Sequence, residues 1–129
     1  MKTFTTTIGE LYDLEQAILK SGAMNMSFSK KASFSIARNL KKMSSELEEY
    51  KTQRSELIRE YSGGSETISP ESERWVDFLP QFNSLNGVEV AIEINTITTE
   101  DFPETATPFV CALLEFMIEE PTETVEQEG

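Results

Sequence analysis

The run "SKKASFSIARNLKKMSSELEEYKTQRSELIREY", from Ser29 to Tyr61, contains neither Gly nor Pro and limits the fold more than any other part of the chain. Within it Ile36, Leu40, Met43, Leu47, Tyr50, Arg54, Leu57 and Tyr61 recur alternately four and three apart, which draws one stripe along an α-helix. A helix starting near Ser29 to Ala32 and stopped by Ser62-Gly63-Gly64 is roughly 45 Å long at 1.5 Å per residue. Its stripe must be covered by something, from within the chain or from a second molecule. Tyr50, Arg54 and Tyr61 are poor residues for the core of a coiled coil, and the pattern lasts fewer than four heptads. Packing within the monomer is therefore preferred, with a homodimer through the long helix as the alternative.

The partners for the stripe can be read on either side of it. Residues 2 to 8, KTFTTTI, are rich in Thr and Ile and read as a short strand. Thr7 stands three before Glu10, the spacing of a capping box, and Leu11, Leu14 and Ile18 open a helix over about residues 8 to 21. That helix is less than half as long as the next and covers only part of the stripe. Met24, Met26 and Phe28, in the connection, are expected to plug one end of the core. After the long helix, Ser69-Pro70 followed by Glu71 and Glu73 reads as a helix start. Trp75, Phe78, Leu79 and Phe82 give that helix an aromatic face for the far end of the stripe. Pro80 predicts a break or kink within it.

Asn86-Gly87 opens VEVAIEI, in which Val88, Val90, Ile92 and Ile94 alternate with Glu89, Ala91 and Glu93: a half-buried strand with its acids outward. A loop with a short turn at Thr99 to Phe102 leads to Thr107-Pro108 and a last helix whose inner face is Val110, Leu113, Leu114 and Met117. The fold class is thus α+β and mainly helical: a long central helix in a helical hairpin, with a small two-stranded antiparallel sheet. Residues 1 to 118 form one domain, and 119 to 129, acidic and with little to bury, form a tail expected to be disordered.

Composition narrows the chemistry. There is no histidine among the 129 residues, which removes Ser-His and Cys-His dyads, the helical zinc-protease site and the commonest general base together. The single cysteine, Cys111, excludes an internal disulfide and is expected to be buried in the run FVCALLEFM. No enzyme, cofactor or metal site is expected. Glu100, Asp101 and Glu104 are the densest loop acids, but they match no calcium-loop template, and capping explains the first two. Without an apolar run long enough for a membrane span or a signal peptide, the reading is a soluble cytoplasmic protein.

Charge is unevenly placed. Residues 1 to 64 carry a net +2 and residues 65 to 129 a net −14, within a total of −12. The stretch 29 to 45 holds Lys30, Lys31, Arg38, Lys41 and Lys42 and no acid. Two partner-binding faces follow: Lys31, Arg38 and Lys42 on the long helix, or Glu89 and Glu93 on the strand. Direct nucleic-acid binding is disfavoured, since five cations without a recognised motif on a chain of pI about 4.4 answer the protein's own acids more readily than phosphate. The acidic half raises the opposite reading, a surface that mimics a nucleic acid and captures a defence nuclease or DNA-binding protein, with Glu71, Glu73 and Asp77 on one helix beside the strand acids.

The order of a short strand running into "ELYDLEQAILKSG", the basic "SFSKKASFSIARNLKK", a long helix closing in "LEEYKTQRSELIREY", then "GVEVAIEI" and an acidic end resembles a family of small phage and prophage proteins of unknown function. The likeness in layout covers residues 2 to about 118 and implies a phage-encoded accessory protein acting in a host bacterial cytoplasm. The function expected is non-enzymatic: binding and modulating a host or phage protein, with the nucleic-acid mimic and a virion structural or assembly role as alternatives.

Overall fold

A computed structural model describes residues 1–119. Two strands distant in sequence form one sheet: β1 (Lys2–Thr7) pairs antiparallel with β2 (Glu89–Ile94), Lys2 opposite Ile94 and Thr7 opposite Glu89. Between them lie α1 (Ile8–Lys20), α2 (Lys30–Ser62) and α3 (Trp75–Asn86); after β2 comes α4 (Pro108–Leu113). Strand turns directly into helix at Thr7, whose hydroxyl accepts from the Glu10 amide while the Glu10 carboxylate accepts from the Thr7 amide. That reciprocal pair satisfies two helix-end donors and fixes the corner.

The long helix starts on Ser29, whose hydroxyl accepts from the Ala32 amide, and ends on Gly63 at φ 77, a backbone conformation that a side chain would strain. Along it the stripe is buried at Ile36, Met43, Leu47 and Tyr50, with Leu40 half-buried. Against that first part pack Leu11 and Ile18 of α1, Ile92 and Ile94 of β2, and Val110, Leu114 and Met117 at the end of the domain. Each apolar side chain of that size stabilises the fold by about 1.5–3 kcal/mol when fully buried. The stripe is thus covered within the chain.

The far end belongs to α3. Phe78 is fully buried, meeting Tyr61 edge to face at 5.9 Å and stacking with Phe82 at 5.0 Å, while Ile58 is buried beneath. Arg74 lies 4.4 Å from the Tyr61 ring centroid and donates to the Glu60 carbonyl at 2.8 Å. The helix nevertheless starts at Trp75, not at Pro70. Ser69 and Ser72 accept from the Glu71 and Arg74 amides, and these local bonds hold residues 69 to 74 in successive turns. Glu71 and Glu73 therefore do not share a helix with Asp77. Nor does Pro80 interrupt α3: the missing donor would have served the carbonyl of Val76, the most exposed of the large apolar residues, where water can replace it.

Four more expectations need correcting. Cys111 is exposed, because the buried stripe of the last helix is Val110, Leu114 and Met117, and Cys111 stands one residue off it. Met24 is exposed in a one-turn 3-10 segment, Ala23–Asn25; the core end is plugged instead by Met26 and by Phe28, the latter against Phe102 at 5.2 Å. Val88 precedes the strand and is half exposed, although its carbonyl accepts from Ile8 at 2.7 Å. Residues after β2 also do more than loop: Ile97 bridges in parallel to Ile118, with Glu119 donating to the Ile97 carbonyl at 2.7 Å. The rest of the expected acidic tail, residues 120–129, lies outside the described residues.

Candidate functional site

The site is built on the free edge of β2. In an antiparallel pair, alternate residues turn both backbone groups toward the partner and the others turn them away. Ile8 donates to Val88, which continues the ladder outward from β2 and puts Val90, Ile92 and Ile94 in the inward set. Glu89, Ala91, Glu93 and Asn95 must then point outward. Two contacts agree: the Asn95 amide donates to Asn39 Oδ1 at 2.7 Å, and the Glu93 carbonyl accepts from Lys42 Nζ at 2.9 Å.

Both of those partners come from α2. Asn39 is fully buried and also donates from Nδ2 to the Asn95 carbonyl at 2.9 Å, so its amide group pairs with residue 95 as a neighbouring strand would. One turn on, Lys42 closes the next rung. Beyond it no partner is found, among the described residues, for the outward backbone groups of Glu89 and Ala91. The edge is blunted at one end and open at the other.

Along this edge runs a groove of about 900 Å³, walled on one side by Arg38, Lys41, Lys42 and Ser45 of α2 and on the other by Ala91, Ile92 and Glu93. Positions 38, 41, 42 and 45 share one helical face by their spacing. Glu46 stands at the far end of the cationic wall. Of the residues singled out from sequence, the structure brings Arg38, Lys42 and Glu93 together here. Lys31 does not join them; it lines an adjoining depression with Arg38, Thr98 and Asp101. Glu89 and Glu93 both face outward from β2, but Glu89 sits at the opposite end of the strand from Lys42, and Glu93 accepts from the Thr3 hydroxyl at 2.7 Å.

Lys41, Asn39 and the open edge were not legible as parts of one site. Lys41 shares a helical face with Arg38 by its spacing, but only the tertiary crossing of α2 over β2 shows that Asn39 reaches a strand edge and that these cations stand near it.

Elsewhere polar residues of the interior pair across elements. Glu15 occupies the buried stripe of α1 between Leu11 and Ile18, and Lys51 of α2 answers its charge at 2.9 Å. Arg54 lies over the rings of Tyr12 at 4.9 Å and Phe82 at 5.6 Å, clamping α1 and α3 to α2. Beside it the Tyr50 hydroxyl donates to Asn86 Oδ1. Burial pushes the Tyr50 phenol above its ordinary pKa, and the neighbouring guanidinium pulls it back only in part. Asp101 accepts from the Thr98 amide and from the hydroxyls of Thr98 and Ser29, which joins the loop after β2 to the start of α2. Among the described residues no three His, Cys, Asp or Glu side chains converge as metal ligands, and no helix is long and apolar enough to cross a membrane.

No protein-family model, curated protein or solved structure matches the chain.

Proposed function

We propose that the chain is a non-enzymatic accessory protein that binds another protein and changes its activity, through the groove between α2 and β2. The observation that carries this reading is the groove in which Arg38, Lys41 and Lys42 of α2 stand beside exposed residues of β2. A row of cations along an open groove offers charge complementarity to an acidic protein surface. The proposal includes a phage-encoded role in a bacterial cytoplasm, acting on a host or phage protein, which rests on the resemblance of the sequence layout to small phage and prophage proteins. In a nuclease-treated bacterial lysate the tagged protein is expected to retain one protein saturably. Retention of nucleic acid alone, lost on nuclease treatment, would contradict the proposal.

The mimic of a nucleic acid is weaker on geometry. It needs acids repeated on a rigid frame, and with Glu71 and Glu73 held in turns the regular set shrinks to Glu89 and Glu93, roughly 13 Å apart along the strand. A captured partner released by competing DNA, but not by Arg38→Glu with Lys41→Glu, would bring that reading forward.

A further inference from the structure

We infer that the acidic segment 120–129 of this chain is itself a ligand of the basic wall, lying over Lys31 and Arg38 and holding the groove until the partner displaces it. The consequence rests on the protein-binding reading above, and the segment is the competitor that the partner meets. The place where the chain leaves Glu119 supplies the first half of the argument. Ile118 bridges in parallel to Ile97, and the Glu119 amide donates to the Ile97 carbonyl at 2.7 Å. Glu119 thereby lines the depression that also holds Lys31, Phe34 and Arg38. Arg38 belongs both to that depression and to the groove, where Lys41 and Lys42 follow it. The segment starts beside the first cations of the wall.

Charge supplies the second half. Residues 120–129 carry Glu120, Glu123, Glu126 and Glu128 and neither Lys nor Arg. Among the described residues, none of Lys31, Arg38 and Lys41 is ion-paired. Asp101 shares the depression, but its carboxylate accepts from Thr98 and Ser29, and in the groove Lys42 donates to the Glu93 carbonyl. Arg38 and Lys41 are the cations with most to gain from a carboxylate. From Lys31 to Lys41 the helix rises about 15 Å, and ten extended residues span up to roughly 33 Å, so Glu123 and Glu126 come within reach of Arg38 and Lys41. Phe34, exposed with the Arg38 guanidinium 5.9 Å from its ring centroid, offers Pro121 an apolar contact. Attachment to the same chain raises the effective concentration to the millimolar range, so surface ion pairs that are individually weak suffice to occupy the wall.

Glu119 also lines a second cleft, along the outer edge of β1, with Phe4, Leu14, Leu113 and Phe116. That lining is apolar and holds one Lys, Lys2, in place of a row of cations. It is the competing location in the test.

Zero-length carbodiimide coupling joins a carboxylate to an amine only where the two touch. Applied to a mixture of light and heavy-isotope full chains and read by mass spectrometry, it is expected to join Glu123 or Glu126 to Lys31 or Lys41 within one isotopic chain. Coupling to Lys2 with none to Lys31 or Lys41 overturns the location. Mixed-isotope products alone put a second copy on the wall and overturn the inference, as does the absence of any coupling of residues 120–129 at low salt. Occupancy is read with the labelled peptide acetyl-Glu-Pro-Thr-Glu-Thr-Val-Glu-Gln-Glu-Gly-amide, titrated by fluorescence anisotropy at physiological salt. The variant Glu120→Gln/Glu123→Gln/Glu126→Gln/Glu128→Gln is expected to bind it about threefold or more tighter than wild type, whose wall is filled by its own segment. The charge-matched variant Glu56→Gln/Glu60→Gln/Glu71→Gln/Glu73→Gln, altered at exposed sites away from the wall, is expected to bind like wild type. An equal gain there reduces the effect to net charge and overturns the inference. The protein-binding reading is decided separately, by partner capture with wild type against Arg38→Glu/Lys41→Glu. Coupling absent with capture lost in that variant removes the segment and keeps the reading; coupling present with equal capture does the reverse.

Discussion

At the scale of single residues, the fold turns on a few polar groups placed where the pattern calls for apolar ones. Asn39 is the clearest. Replacing it by Ala leaves the N–H and C=O of Asn95 without their partners and opens a small cavity, so Asn39→Ala is expected to cost about 2–4 kcal/mol, read from the urea midpoint. Gly9 is constrained differently: a Cβ there would lie 2.7 Å from the Cβ of Asn86, where α1 approaches the end of α3. Gly9→Ala should destabilise by about 1–3 kcal/mol through overpacking, despite the gain in helix propensity. Asp101 carries a pH dependence. The Thr98 amide, foremost, and the Ser29 and Thr98 hydroxyls hold its carboxyl below the ordinary value. A depressed folded pKa contributes stability above the unfolded value of about 3.9, and that contribution is lost as pH falls through the folded value. The stability gap between wild type and Asp101→Asn is therefore expected to narrow between pH 7 and about pH 3. A gap unchanged over that range would show that the carboxylate charge is not what holds the loop.

At the scale of elements, the long helix needs different covers along its length, and these explain what could be read in advance. The capping box at Thr7 and Glu10, the stops at Gly63 and Gly64, and the alternation of Val90, Ile92 and Ile94 are local signals, and each element they mark is present. Helix α3 starts late because Ser69 and Ser72 satisfy nearby amides within turns, a competition that the Ser-Pro-acid signature does not reveal. Arg54 met rings because three helices converge around it, and no single-element pattern encodes that meeting. The candidate site was half legible for the same reason: its cations follow from helical spacing, its strand edge only from how α2 crosses β2. Phe78→Ala is expected to cost about 3–5 kcal/mol and to loosen α3 in particular, seen as faster amide exchange in Phe82 and Leu85 than in Ile92 and Ile94.

At the scale of the whole molecule, burial of the α2 stripe against α1, α3 and β2 leaves the opposite, basic face of that helix outward. The charge asymmetry of the sequence thereby acquires a geometry: a short cationic wall in a groove beside β2, on a chain that is otherwise strongly acidic. That wall is where the proposed partner binds. The most direct measurement is saturation binding of the nuclease-resistant partner to wild type and to Arg38→Glu/Lys41→Glu, with circular dichroism showing both folded. A loss of about tenfold or more in affinity is expected, since two charge contacts are reversed at once. Equal affinity for the two proteins would place the partner elsewhere and contradict the account.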